Sequence, residues 1–403
     1  MLNWQNTHPD ILKKNVTNKA GLDRLSLSVM FLLLSLIVPS SLSADLLGIR
    51  ISAHRLILIL AMTPVLSKYF ALPTKHSADK FVFITSFLMI VTMAVNSGMK
   101  GTIFGASLAL ETLFPYLMAR VYVTKLEHFV SVQRIYVFLI AILILPVSYE
   151  AIKGTNIFTV LFGGDTGKHE MRLGFYRSAG PMDHPILFGI FSAAGLSLTQ
   201  LSTDRRWLKR GLIALATFAS LSSAGFVMFF MQAVLLWKKK MASAKLSTYL
   251  IAIISVYILI DMLSNRSPLA VMASYLSLDK QTAHFRLLIY ESAIKNVLDN
   301  LFMGIGLNGW VRPEWMPPSI DNFFMLVAVR HGVLTVSSIL MVIWAVLQST
   351  YAYNSGIHIA FRILVLSMVF AIFTVHIWNS VYVFFWFILG ITANLKFISF
   401  KLP

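Results

Sequence analysis

The chain of 403 residues contains no cysteine. Disulfides, thiolate nucleophiles and cysteine metal sites are thereby excluded. Charge is scarce as well: charged residues make up 13% of the sequence against 57% hydrophobic. A soluble domain carries about 25% charged residues. Acidic side chains are the scarcest, 17 against 34 Lys and Arg, leaving a formal charge of +17. The basic residues are dispersed in short clusters between apolar runs. That pattern excludes a nucleic-acid face, which gathers its cations on one soluble surface. The chain lacks a P-loop, a Ser/His/Asp arrangement and any cluster with metal-ligand spacing, so neither a metal nor a cofactor is expected. Gly304-Ile-Gly306-Leu-Asn308-Gly309 has the wrong spacing for a dinucleotide fingerprint and follows no βαβ pattern.

What remains is a series of apolar runs. A spanning helix needs about 20 apolar residues, so the composition predicts an all-α polytopic membrane protein of about 12 transmembrane helices. Spans are expected at 25–43, 54–72, 81–97, 102–120, 132–150, 184–201, 208–222, 225–238, 247–263, 332–349, 360–377 and 380–397. Residues 1–24 form a cytoplasmic leader and 25–403 a single membrane domain. Lys13, Lys14, Lys19 and Arg24 place the N-terminus inside, and every second loop then carries Lys/Arg clusters. The C-terminus also lies inside. Residues 211–237 form an uncharged run of 27 residues, long for one helix and short for two. Basic clusters at both ends and the Ser222-Ser223-Ala224-Gly225 turn favour two short helices.

Two polar stretches, 151–183 and 264–320, then fall on the same non-cytoplasmic side. The second carries HFRLLIYESAIKNVLDNL (284–301), whose apolar stripe predicts a helix along the membrane surface. These loops and their edges hold Arg172, Arg177, Asp183, His184, His284, Arg286, Asp321, Asn322 and Arg330. Arg177 opens Arg-Ser-Ala-Gly-Pro-Met-Asp-His-Pro, whose glycine and prolines bend the backbone near the bilayer surface. Taken singly, Arg177 and Arg286 are explained by contact with lipid headgroups, and His184 by a helix cap. Taken together, two planar guanidiniums on one face suit a pyrophosphate. Asp321 and Asn322 stand where the loop re-enters the membrane, and supply either a functional carboxylate or a helix cap. Glu111, inside a span, is expected to be paired or to face a cavity.

At these segments the sequence resembles the O-antigen ligase and polysaccharide polymerase superfamily, in particular its exopolysaccharide-polymerase branch. The stretches that carry the likeness are Arg177 to Gly189, His284-Phe-Arg286 through Gly304-Ile-Gly306, and Asp321-Asn-Phe-Phe-Met-Leu-Val-Ala-Val-Arg330-His-Gly332. Gly48-Ile-Arg-Ile-Ser-Ala-His-Arg55 is similar to that family's second-span entrance. The resemblance implies a glycosyltransferase of the bacterial inner membrane. It would polymerise polyprenyl-pyrophosphate-linked repeat units at the periplasmic face, with Arg177 and Arg286 on the pyrophosphate. Asp321 is the first choice for the general base and His184 the second; Arg172, Asp183, His284, Asn322 and Arg330 are possible supports. A flippase and a chain-length regulator are the implied partners, beside membrane lipids. The alternatives are a ligase that transfers finished glycan to lipid A-core, and, from another class, a transporter of lipid-linked glycan. Many members of the family have an arginine at the Ser222-Ser223-Ala224 turn, and many of its ligases have His-Asn where this chain has Asp321-Asn322, a departure that favours the polymerase-like branch.

Overall fold

The computed structural model describes residues 25–46, 49–164, 167, 169–202, 204–238, scattered positions between 241 and 262, 280–351 and 355–398. For 280–286 it describes the backbone alone. The expected span at 247–263 and the cluster at Lys239 and Lys240 thus lie largely outside the described residues.

The chain is mostly helical, 74%. Helix α1 (Leu27–Ser35) leads into a hairpin of β1 (Ser43–Leu46) and β2 (Ile49–Ser52), then α2 (Ala53–Phe70), α3 (Ser77–Tyr122) and α4 (Leu126–Lys153). A short α5 (Ile157–Phe162) and a second hairpin, β3 (Met171–Arg172) with β4 (Phe175–Tyr176), precede α6 (Pro185–Leu198), α7 (Arg206–Ala219) and α8 (Ser223–Trp237). Further along the chain come α9 (Lys280–Asp299), α10 (Phe323–His331), α11 (Val333–Tyr351), α12 (Gly356–Ile372) and α13 (Asn379–Asn394). Among the described residues, four helices are long and apolar enough to cross a membrane: Ser77–Tyr122, Leu126–Lys153, Val333–Tyr351 and Asn379–Phe397. The polarity of the bundle is inverted relative to a soluble protein. Leu145 and Leu60 are 80% and 69% exposed, whereas Arg120 and Asp79 are each 2% exposed. Apolar surface turned outward and charge turned inward suit a lipid surrounding.

Several expectations need correction. The helical class stands, with two short antiparallel hairpins added at 43–52 and 171–176. The first helix stops at Ser35, well short of residue 43, because Pro39 and the serines after it cannot prolong it. The run 360–377 is helical only to Ile372. The surface helix ends at Asp299 and begins earlier than expected, at Lys280.

Helix α3 is two antiparallel arms. Gly98 breaks it at φ 57°, ψ −141°, a conformation open to glycine and strained for other residues. Pairs then meet across the arms: Thr112 Oγ1 donates to Met89 Sδ at 3.6 Å and Tyr116 Oη to Asp79 Oδ1 at 2.7 Å. At the far end of the arms Arg120 and Asp79 form an ion pair at 3.0 Å. The run 211–237 is likewise broken, at Ser220–Ser222, into α7 and α8.

These breaks distinguish two ends of the bundle. At one end Ser178 N donates to Ala219 O at 3.0 Å, tying the 177–184 loop to the α7–α8 turn. The β1–β2 hairpin, the Gly98 turn and the start of α13 lie at the same end. At the other end Asn394 Nδ2 donates to Val123 O at 2.7 Å, and Arg206 Nη2 to Ser202 O at 2.7 Å.

Candidate functional site

The loop from 172 to 184 is built on a buried carboxylate. Glu150, at the last turn of α4, accepts Ala179 N at 3.0 Å on Oε1 and Gly180 N at 2.9 Å on Oε2. Asn156 Nδ2 donates to Glu150 Oε1 at 3.1 Å and to Gly180 O at 2.8 Å. Ser178 Oγ adds a bond to Val147 O at 2.9 Å. The bend that Gly180 and Pro181 suggest in the sequence is therefore clamped at both peptide groups.

Arg177 leaves this clamp buried, 7% exposed. Its Nη1 lies 3.8 Å from Glu170 Oε2, and Arg172 Nη2 lies 3.3 Å from the same oxygen. Arg172 also donates through Nη1 to Leu221 O at 3.3 Å. Two guanidiniums thus converge on one anionic oxygen, and that carboxylate is 73% exposed.

Asp183 joins three segments. Its Oδ2 accepts Asn379 Nδ2 at 2.7 Å and Trp378 Nε1 at 3.1 Å, and its Oδ1 accepts the Ser40 hydroxyl. His184 caps α6: Nδ1 accepts Ile186 N at 3.1 Å, and Pro185 follows in the first helical turn. Burial, then Arg177, His169 and Arg172, push its pKa down to about 4. With Nδ1 occupied as an acceptor, the neutral ring carries its proton on Nε2 and presents a donor.

The cap of α10 is Asn322, not Asp321. Asn322 Oδ1 accepts Met325 N at 3.0 Å and its Nδ2 donates to Phe373 O at 2.7 Å. Asp321 stands one residue before the cap, half-buried. His284 and Arg286 belong to the first turns of α9. Their side chains lie outside the described residues, and so does any meeting of Arg286 with Arg177.

Beside the loop, Arg55, Glu111, Arg330, His331, His376 and Asn379 line a cavity of about 160 Å³. Glu111 Oε1 is held by Arg55 Nε at 2.7 Å and His54 Nε2 at 3.0 Å, so this carboxylate is both paired and at a cavity wall. Trp378 and Asn379 belong to the cavity and also to the Asp183 clamp, which joins the two regions. A second, apolar groove of about 270 Å³ runs between α9 and α10, past Ile294, Val297, Phe324 and Phe373.

The structure thus brings together Arg172, Arg177, Asp183 and His184, and sets Asn322 and Arg330 on α10. Sequence reasoning missed Glu150, Glu170, His376 and Trp378. A lone carboxylate at the end of an apolar run could have flagged Glu150; His376 gave no comparable signal. Among the described residues no three His, Asp or Glu gather to hold a metal ion. Comparison with known proteins finds no family model that matches the chain and no matching curated relative.

Proposed function

We propose that the protein is a multi-span glycosyltransferase of the bacterial inner membrane, which joins polyprenyl-pyrophosphate-linked repeat units at its periplasmic face. The observation that carries this reading is the convergence of Arg172 and Arg177 on one exposed carboxylate oxygen. A carboxylate held weakly between two guanidiniums marks a place where a more highly charged oxyanion binds better. The pyrophosphate displaces Glu170 there, and Arg286 is a further cation for it. Arg172 also sets a guanidinium beside the 220–222 turn, where the resembled family often has an arginine.

The topology follows from charge. The bundle end away from this loop carries Lys68, Lys75, Arg120, Lys125, Arg206, Lys209 and Lys238, which the positive-inside rule assigns to the cytoplasm. With α7 and α8 as two crossings, about 12 spans result and both termini are cytoplasmic. The apolar groove beside Asn322 suits a lipid chain.

In the reaction an acceptor hydroxyl oxygen attacks the anomeric carbon of the donor sugar. The bond from that carbon to the pyrophosphate oxygen breaks, and its electron pair leaves on the phosphate. Arg172 and Arg177 stabilise the charge that develops. Asp321 takes the hydroxyl proton. His184, a donor through Nε2, orients the leaving group rather than acting as the base.

Arg177→Lys tests the reading, because lysine keeps the charge and loses the fork. In cells whose surface glycan depends on this chain, the variant should insert normally yet accumulate single repeat units on the lipid carrier. Asp321→Asn should do the same. Polymer of normal length and amount in the Arg177→Lys strain would rule out bidentate pyrophosphate binding.

A further inference from the structure

The 160 Å³ cavity is lined by a charge that no described residue neutralises. Arg55 is compensated: its Nε lies 2.7 Å from Glu111 Oε1 and its Nη1 donates to Arg50 O at 2.7 Å. Arg330 is not. Its Cζ lies 5.8 Å from the centre of the Phe104 ring, and among the described residues its guanidinium has no ion pair and no hydrogen bond. A half-buried guanidinium left in that state is costly unless an anion or water reaches it.

His376 adds a second polar group to the same wall. Its imidazole stacks between Phe323, 6.2 Å away at 7°, and Trp378, 5.5 Å away at 26°. Its Nδ1 is buried with no hydrogen-bond partner among the described residues. The other polar groups of the wall are already engaged: His331 Nδ1 with Thr92 Oγ1 at 2.8 Å and Tyr382 Oη with Thr112 Oγ1 at 2.5 Å. Arg330 and His376, neither hydrogen-bonded through these groups among the described residues, therefore line a single chamber.

We propose that this cavity is a second anion-binding site, which holds a carboxylate or phosphate group carried on the glycan, with Arg330 as its cation and His376 as its hydrogen-bond partner. The volume corresponds to about five waters at ~30 Å³ each, room for one oxyanion and part of a ring rather than a whole lipid headgroup. Its walls supply Phe104, Trp378 and Tyr382, whose ring faces suit the apolar face of a sugar. Trp378 and Asn379 place the chamber beside Asp183 and His184, next to the transfer loop. The inference rests on the transferase reading only for naming a glycan as the carrier; the binding itself is independent of it.

The test uses the purified full-length protein in detergent, with its unfolding midpoint followed against added glucuronate, inorganic phosphate and neutral glucose. Glucuronate and phosphate should raise the midpoint saturably and glucose should not. Arg330→Gln should weaken the apparent affinity by about tenfold or more, as loss of a charge-assisted pair does, and His376→Gln should weaken it less. The difference between wild type and Arg330→Gln should persist in the Arg177→Lys background, which separates this site from the one at Glu170. Should Arg330→Gln fail to fold, His376→Gln and Arg330→Lys carry the test, both with reduced response. Response to phosphate alone supports the anion site and assigns it to a phosphate rather than a sugar acid. An unresponsive wild type, a wild-type response in both Arg330→Gln and His376→Gln, or a response abolished by Arg177→Lys would overturn it.

Discussion

Gly304→Ala should unfold the platform on which Arg330 stands. Gly304 has φ +61°, and a Cβ built there would lie 2.4 Å from Arg330 C, 2.6 Å from Arg330 O and 2.6 Å from His331 N. Ordinary contact begins near 3.4 Å, so the backbone would have to move by about 1 Å. The atoms in the way are backbone, which no rotamer change can relieve. Two hydrogen bonds depend on this approach, Ile305 N to Val329 O at 2.9 Å and Gly306 N to Arg330 O at 3.0 Å. The left-handed conformation costs an alanine about 1–2 kcal/mol, overpacking about 1–3 kcal/mol, and each lost hydrogen bond about 1 kcal/mol. Against a small gain from a stiffer unfolded chain, the net loss is about 3–6 kcal/mol. Thermal unfolding of the purified variant measures it, with Gly309→Ala as the control, since Gly309 has no neighbour within 4 Å and no positive φ. If Gly304→Ala unfolds like Gly309→Ala, the Gly304-Ile-Gly306 turn does not brace α10 and the steric reasoning fails.

Asp79→Ala leaves Arg120, 2% exposed, without its carboxylate and should cost about 3–5 kcal/mol. The double variant Asp79→Leu, Arg120→Met should be less damaged than the single one; equal or greater damage would count against a buried ion pair. Acid should also destabilise the fold through its depressed histidines. His331 falls from 6.5 to about 3, so its contribution is complete above pH 6.5 and is lost as the pH drops below that. At pH 5, that is 1.5 units lower, the loss is on the order of 2 kcal/mol. The unfolding midpoint should drop between pH 7 and 5, and His331→Gln should flatten the slope; an unchanged slope would refute the assignment. Because the chain has no cysteine, single cysteines at Glu170 and Glu314 should react with an impermeant reagent from outside, and at Arg206 and Lys240 they should not. External labelling at Lys240 would overturn the proposed topology and the proposed periplasmic site with it.

Helix positions were legible where composition alone decides. The apolar runs at 54–72 and 332–349 correspond to α2 and α11 within two residues, and 132–150 lies inside the longer α4. The turn at Ser222 was legible because serines and glycine interrupt an otherwise apolar run, and the structure breaks the helix at 220–222. Glu111 was legible too: a carboxylate in a lipid-facing run must be paired, and Arg55 and His54 pair it. The distinction between Asp321 and Asn322 was not legible, because either side chain can cap a helix. Only the geometry, with Asn322 Oδ1 on Met325 N, resolves it.

His376 shows why the remainder was hidden. Ala371-Ile-Phe-Thr-Val-His-Ile-Trp378 is almost wholly apolar, so hydropathy carries the helix through it. The helix stops at Ile372, and the carbonyl that follows finds its partner 51 residues away in the chain, where Asn322 Nδ2 donates to Phe373 O at 2.7 Å. That bond supplies a partner to a terminal carbonyl and frees the chain to turn. The turn then brings His376 over Phe323 and Trp378 onto Asp183. A site assembled in this way depends on which carbonyl meets which amide between distant segments, and apolar periodicity carries no information about that. The same holds for Arg172 and Arg177, whose spacing of five residues says nothing until a β-hairpin and Glu150 fold them onto one carboxylate.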